Sequence, residues 1–144
     1  MWICPNCHQQ FVNTNQSHSC GRFTVEQFLE GKSKASVNLL RYFLAQYQKI
    51  GRFRLHPVKT RITLVKGMRF CAINKIGPDF VDVHLVLTEP YPSTCFQKID
   101  NLGDRFYIHH LRIRQKSDIS REVKKYMNLA YRVGKREHIK QRAR

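Results

Sequence analysis

Either side of Gly51 the apolar residues of this chain change their period, and that change limits what it can fold into. Before it, Val37, Leu40, Leu44 and Tyr47 recur at steps of three and four, the stripe of a half-buried helix running from about Lys34 to Lys49. After it, Arg52-Phe53-Arg54-Leu55-His56 alternates polar and apolar as a half-buried strand does. Ile62, Leu64 and the run Met68 to Ile73 follow, with Lys66-Gly67 as a tight connection. Beyond the turn Gly77-Pro78-Asp79, the residues Phe80, Val81, Val83, Leu85 and Leu87 make the clearest strand in the chain. Glu89 to Asp104, with Pro90, Pro92, Asn101 and Gly103, reads as a long loop, and Phe106 to Ile113 as a final strand.

Helices bracket this region. Thr24 is placed to cap a short helix, Val25 to Glu30, with Gln27 completing a capping box and Gly31 ending it. A last helix starts near Ser117 or Asp118, with an apolar face of Ile119, Val123, Tyr126, Met127, Ala130 and Val133. Arg121, Lys125, Asn128 and Arg132 lie on its opposite face. The expected fold is α+β: two helices, an antiparallel sheet of about five strands, and a C-terminal helix. A small zinc-ribbon-like module is expected ahead of it.

That module rests on CPNCHQQFVNTNQSHSC, residues 4 to 20. Cys4 and Cys7 can reach one ion from a single tight turn, and His18 and Cys20 follow at the length of a short ribbon returning to the same point. Three thiolates and an imidazole make a closed tetrahedral set suited to structural zinc. His8 is an alternative nitrogen ligand. The segment has little apolar material besides Trp2, Ile3, Phe11 and Val12, so it needs a staple to fold. The alternative is reduced cysteines in a polar segment, which leaves three of the chain's five cysteines gathered there without a reason. The divisions expected are residues 1–22 for the module, 23–134 for the α+β domain, and 135–144 for a basic tail too polar to require fixed structure.

Charge is the next constraint. Of a net +16, residues 105–144 supply +10, from 13 Lys or Arg against Asp118, Glu122 and Glu137. Such polarity suits a polyanionic partner, most often nucleic acid. Arg112, Arg114, Arg121, Lys124, Lys125, Arg132, Lys135 and Arg136 are the expected phosphate contacts. No apolar run approaches the roughly 18 residues of a membrane span, and no basic-then-apolar export segment precedes the metal motif. Reduced thiols and a cytoplasmic location are therefore expected.

Other motifs carry less. Gly31-Lys32-Ser33 imitates the end of a phosphate-binding loop, but Glu26 stands where that loop needs glycine, and a helix precedes it. His109 and His110 are strand neighbours and point to opposite faces, so they do not serve one site together. One of them could work with Asp104 or His84 as an acid–base group. Cys71 reads as a small buried hydrophobe, and Cys95 has no base in sequence to activate it. Arginines interleave with aromatics at Arg52-Phe53-Arg54, Arg69-Phe70 and Arg105-Phe106-Tyr107, a pattern that suits base stacking or, more ordinarily, a core with arginines facing solvent.

With those residues in view, the chain resembles an uncharacterised bacterial domain-of-unknown-function family with an N-terminal zinc-ribbon-like leader. WICPNC and NQSHSC resemble the leader, and HSCGRFTVEQFLEGK the start of the domain. KTRITLVKGMRFCAINK with DFVDVHLVL resembles its centre, and FYIHHLRI with SDISREVKKYMNLAYRVG its close. The likeness runs over residues 1 to about 134. It implies Cys4, Cys7, His18 and Cys20 as ligands and no catalytic residue. His8 stands where such knuckles often have glycine, and Tyr126-Met127 where a tryptophan-aliphatic pair is expected.

The functional expectation is a non-catalytic, zinc-containing module that binds nucleic acid through its basic C-terminal region. An adaptor with a protein partner is the alternative. An enzyme using His84, His109 or His110 is a third, which a pocket gathering two of those histidines and a carboxylate would support.

Overall fold

The computed structural model describes residues 2, 3, 5, 10–12 and 24–142. Near the N-terminus, β1 (Trp2–Ile3) pairs antiparallel with β2 (Gln10–Phe11). The helices α1 (Val25–Leu29) and α2 (Lys34–Ile50) follow. Six strands come next: β3 (Arg54–Pro57), β4 (Ile62–Val65), β5 (Arg69–Ile76), β6 (Val81–Leu87), β7 (Lys98–Leu102) and β8 (Phe106–Ile113). A 3-10 turn at Lys116–Asp118 leads to α3 (Arg121–Gly134) and the short α4 (Glu137–Arg142).

The six strands form one antiparallel sheet in the order β3-β4-β5-β6-β8-β7. The sheet thus has one strand more than expected. β7 lies inside the segment read from sequence as loop, because Lys-Ile-Asp-Asn-Leu shows no clean alternation and its strand sits at an edge with little to bury. The terminal segment expected to need no fixed structure contains α4, and His138 there stacks edge-on against Phe106 at 5.4 Å.

Local chemistry explains the helix ends. Thr24 Oγ1 accepts from the Gln27 amide at 3.1 Å while Gln27 Oε1 accepts from the Thr24 amide at 3.0 Å, the capping box in full. Ser33 and Ser120 cap α2 and α3 in the same way through their hydroxyls. At the far end of α3, the Gly134 carbonyl accepts from the amides of Gly67 and Met68 at 2.7 and 3.0 Å. The β4–β5 turn thereby satisfies carbonyl valence that a helix end leaves open.

Both long helices pack on one face of the sheet. Val81, Val83, Leu85 and Leu87 point into that layer from β6, and Leu111 and Ile113 from β8. The face of α3 expected from sequence is buried as expected: Val123, Tyr126, Met127, Ala130 and Val133, with Ile119 just before the helix. In α2 the buried stripe is instead Leu39, Leu40, Phe43 and Tyr47, while Val37 and Leu44 are half-buried. The reason is aromatic packing: Tyr47 meets Phe43, Phe53 and Phe70 edge-on at 5.3 to 5.8 Å, and Phe70 meets Tyr131 at 5.4 Å. Phe53 and Phe70 therefore belong to the core side, and the arginines beside them do not flank exposed rings. The other face of the sheet has no helix over it among the described residues.

Candidate functional site on the open face of the sheet

Strand alternation sends Asp82, His84 and Val86 from β6, and Ile108, His110 and Arg112 from β8, to the open face. Register then aligns them: Asp82 lies opposite Arg112, His84 opposite His110, and Val86 opposite Ile108. Lys98 on β7 lies opposite His110, and Asp100 opposite Ile108. A bulge in β5 between Ile73 and Lys75 brings Asn74 to His84.

The contacts are specific. Arg112 holds Asp82 through two parallel hydrogen bonds, Nε to Oδ1 at 2.8 Å and Nη2 to Oδ2 at 3.0 Å. The same guanidinium lies over the Phe80 ring at 3.8 Å. His110 Nε2 donates to Asp100 Oδ2 at 2.9 Å, and Lys98 Nζ reaches Asp100 Oδ1 at 3.3 Å. The His110 hydrogen bond, supported by Lys98, holds the Asp100 carboxyl below its ordinary range. Asn74 Nδ2 lies 2.9 Å from His84 Nδ1 and donates to it, which leaves the ring proton on Nε2. The His84 and His110 rings meet edge-on at 5.6 Å. Burial, then the neighbouring His110 and Arg61, push His84 down to about 4 against a smaller opposing effect of Asp100. His84 is thus neutral at pH 7 and presents an N–H.

Two cavities open on this face. One, of about 480 Å³, is lined by Arg61, Asn74, Asp82, His84, Asp100 and His110, among others. Another, of about 430 Å³, is lined by Val58, Arg61, Thr63, Arg69, His84 and Val86, with Cys71. Arg61 and His84 line both, so the two adjoin as a cleft along the sheet face. Its groups can bind an anion, donate a hydrogen bond from neutral His84, and accept a proton at the free nitrogen of His110.

His109 faces the other way and is fully buried. Its Nδ1 donates to the Tyr107 carbonyl at 2.9 Å and its Nε2 accepts from the Tyr91 amide at 3.0 Å. Burial lowers its pKa, with His110 adding to the effect. Both nitrogens are satisfied, and the ring ties the Glu89–Gln97 segment to β8 against Phe96 at 4.8 Å. Cys71 is buried in the core, and desolvation drives its thiol far above the ordinary range. Cys95 is half-buried and raised by burial, beside Ser93 and Glu122. Neither thiol is activated.

No family model matches this chain, and no curated protein or solved structure matches it either.

The basic residues expected to contact phosphate fall in three settings. Arg112 lies on the open face and is engaged by Asp82 and Phe80. Arg121, Lys124, Lys125 and Arg132 are exposed on α3, Lys135 is exposed at its C-cap, and Arg114 is exposed just after β8. Arg136 is half-buried in a left-handed backbone conformation just after α3. Cys4, Cys7, His8, His18 and Cys20 lie outside the described residues. No helix among the described residues is long and apolar enough to cross a membrane.

Sequence reading had reached His84 and His110 individually. Arg69 stands in the arginine–aromatic pattern but nothing local joins it to this cleft; Asp100 falls in a segment that reads as loop, and no local pattern marks Arg61 or Asn74. Alternation alone could have paired Asp82 with His84 on a polar face.

Proposed function

We propose that the chain is a zinc-containing module that binds nucleic acid through the outer face of α3. The observation that carries this reading is the arrangement of Arg121, Lys124, Lys125, Arg132 and Lys135 on one exposed helix surface. At 3.6 residues per turn these positions stay within roughly 100° of one another around the axis and extend over about 20 Å. The nearby carboxylates are partly engaged: Glu122 accepts from the Ser93 hydroxyl at 3.1 Å, and Glu137 pairs with Lys135 at 3.3 Å. A cationic ridge of this kind matches the regular negative charge of a phosphodiester backbone and reads no sequence by itself. Zinc, on Cys4, Cys7 and Cys20 with His18 or His8, would hold the N-terminal module folded and take no part in contact with the polymer. The ligand spacing and the resemblance support that role.

Fluorescence anisotropy of the full, zinc-loaded chain against labelled single-stranded DNA, duplex DNA and RNA tests the reading. With the five ridge cations engaged, log affinity falls against log salt with a slope of about −4.5. A slope near zero, or no binding at low salt, sinks it. Partners that stay bound in nuclease-treated lysate would then favour the adaptor.

A second reading is favoured by one observation. The open-face cleft gathers His84, His110, Asp82 and Asp100, two histidines and carboxylates in one place. Asp100 orients His110 so that its other ring nitrogen can act as a base, the ordering found in acid–base sites. Cleavage of a labelled RNA or DNA by purified protein, lost in His110→Gln, would favour an enzyme; intact substrate after prolonged incubation would not.

A further inference from the structure

The open-face cleft has a feature that neither α3 nor the histidine pair accounts for. Its carboxylates are already occupied, Asp82 by Arg112 and Asp100 by His110 and Lys98. Arg61 and Arg69 line the same cavity and have no ion pair with a carboxylate among the described residues. The Arg69 guanidinium is partly withdrawn from water, and this, together with the like charge of Arg61, lowers its pKa. Two guanidiniums held near each other without a counter-charge raise the energy of the empty cleft, and a bound anion reverses that cost.

We propose that Arg61, Arg69 and His84 form a phosphate-binding site on the open sheet face, shaped for a nucleotide. The chemistry of the donors fits. Guanidinium forks match phosphate oxygens in bidentate geometry. The neutral His84 ring, its Nδ1 occupied by Asn74, offers Nε2–H as a further donor. Beyond the phosphate position, Val86 and Ile108 lie side by side on the face and give the cleft an apolar floor. The two adjoining cavities, about 430 and 480 Å³, each fall in the range of small-ligand sites. A nucleoside phosphate supplies both halves that the cleft lacks: a dianion for the arginines and a flat apolar body for the floor. Its source is either a free mononucleotide or the 5′-phosphorylated end of a nucleic acid strand.

The site uses residues separate from the α3 ridge, so either can fail without the other. Isothermal titration calorimetry of the full, zinc-loaded chain decides it, with adenosine 5′-monophosphate, adenosine, inorganic phosphate, and a short RNA with and without a 5′-phosphate. The monophosphate binds saturably, and adenosine binds at least about tenfold more weakly, the value of one charged hydrogen bond. Arg61→Gln and Arg69→Gln each weaken the monophosphate by about tenfold or more. The double variant Lys124→Gln, Lys125→Gln leaves it unchanged. Both arginines are exposed, and thermal melts check that their variants fold as the parent does. An RNA that binds tighter with its 5′-phosphate than without it, by a margin that Arg61→Gln or Arg69→Gln removes, assigns the site to a strand end; equal binding of the two RNAs assigns it to a free nucleotide. Equal binding of adenosine and its monophosphate, affinity untouched by either arginine variant, or no saturation at millimolar ligand overturns the proposal. Inorganic phosphate binding as tightly as the monophosphate overturns the nucleoside half of it.

His84 supplies an independent readout. The groups facing it are Asn74 on β5, His110 on β8, Asp100 on β7 and Arg61 ahead of β4. A phosphate seated beside it favours the imidazolium, so the His84 ring titrates at higher pH with the monophosphate bound than without. An unchanged titration in the saturated complex places the ligand elsewhere.

Discussion

Acidification from pH 7 to pH 5 is predicted to destabilise the fold through His84 in particular. In an unfolded chain the ring titrates near its ordinary 6.5; in the fold it is pushed down to about 4, chiefly by burial, with His110 and Arg61 adding to it. The unfolded state therefore binds more protons than the folded state across this interval. The sign follows: the contribution of neutral His84 is complete above pH about 6.5 and is lost as pH falls toward about 4. At 1.36 kcal/mol per pKa unit the whole interval is worth about 3 kcal/mol, of which about 2 kcal/mol is gone by pH 5. His109 loses stability in the same direction over this interval, while the contribution of Asp100, whose carboxyl is held low by His110, is lost only at lower pH, below its ordinary 3.8. Comparing wild type with His84→Asn removes those shared contributions. Urea melts of both proteins at pH 7 and pH 5 are the assay. Wild type loses about 2 kcal/mol more than the variant over that interval. Equal losses, or a His84 ring that titrates near 6.5 by NMR in the folded protein, would refute the argument.

Three further outcomes follow from the packing and the N-terminal motif. Gly134→Ala places a methyl 2.5 Å from Phe70 Cδ1 in a filled core, so stability falls by about 1–3 kcal/mol; a neutral result in a denaturant melt would show that α3 can shift away. Tyr47→Phe removes the hydroxyl that donates to the Met127 carbonyl at 2.6 Å inside the core, a loss of about 1 kcal/mol that chemical denaturation resolves; no change would mean the carbonyl has no need of that donor. Protein purified without chelator contains one zinc per chain by elemental analysis, and a chelator changes the emission of Trp2, the single tryptophan. A metal-free preparation that is otherwise folded would remove zinc from the proposed function.

What could be read in the sequence was set by how local the physics is. The capping box at Thr24 and Gln27 involves residues three apart, and its reading needs nothing else. The apolar face of α3 is equally plain, because no apolar residue but Leu129 and Tyr131 competes with it. In α2 the run Leu39-Leu40-Arg41-Tyr42-Phe43-Leu44 is apolar on more than one side. Which side turns inward depends on Phe70 and Tyr131, far away in the chain, so periodicity selected a stripe displaced from the real one.

The cleft shows the same boundary at the level of function. That His109 and His110 face opposite ways follows from strand geometry, and the structure bears it out. That His110 meets His84 requires β6 and β8 to be neighbours in one register, with β7 passed over and added outside them. That Asp100 reaches His110 requires β7 to exist at all. The cleft is therefore a product of topology: its histidines and carboxylates come from three strands, and its unpaired arginines flank β4 and open β5. Charge counting made the last forty residues look like the whole of the binding surface. Arg61 and Arg69 instead lie in the less basic part of the chain, where the fold, and no local excess of charge, places them in one cavity without a carboxylate.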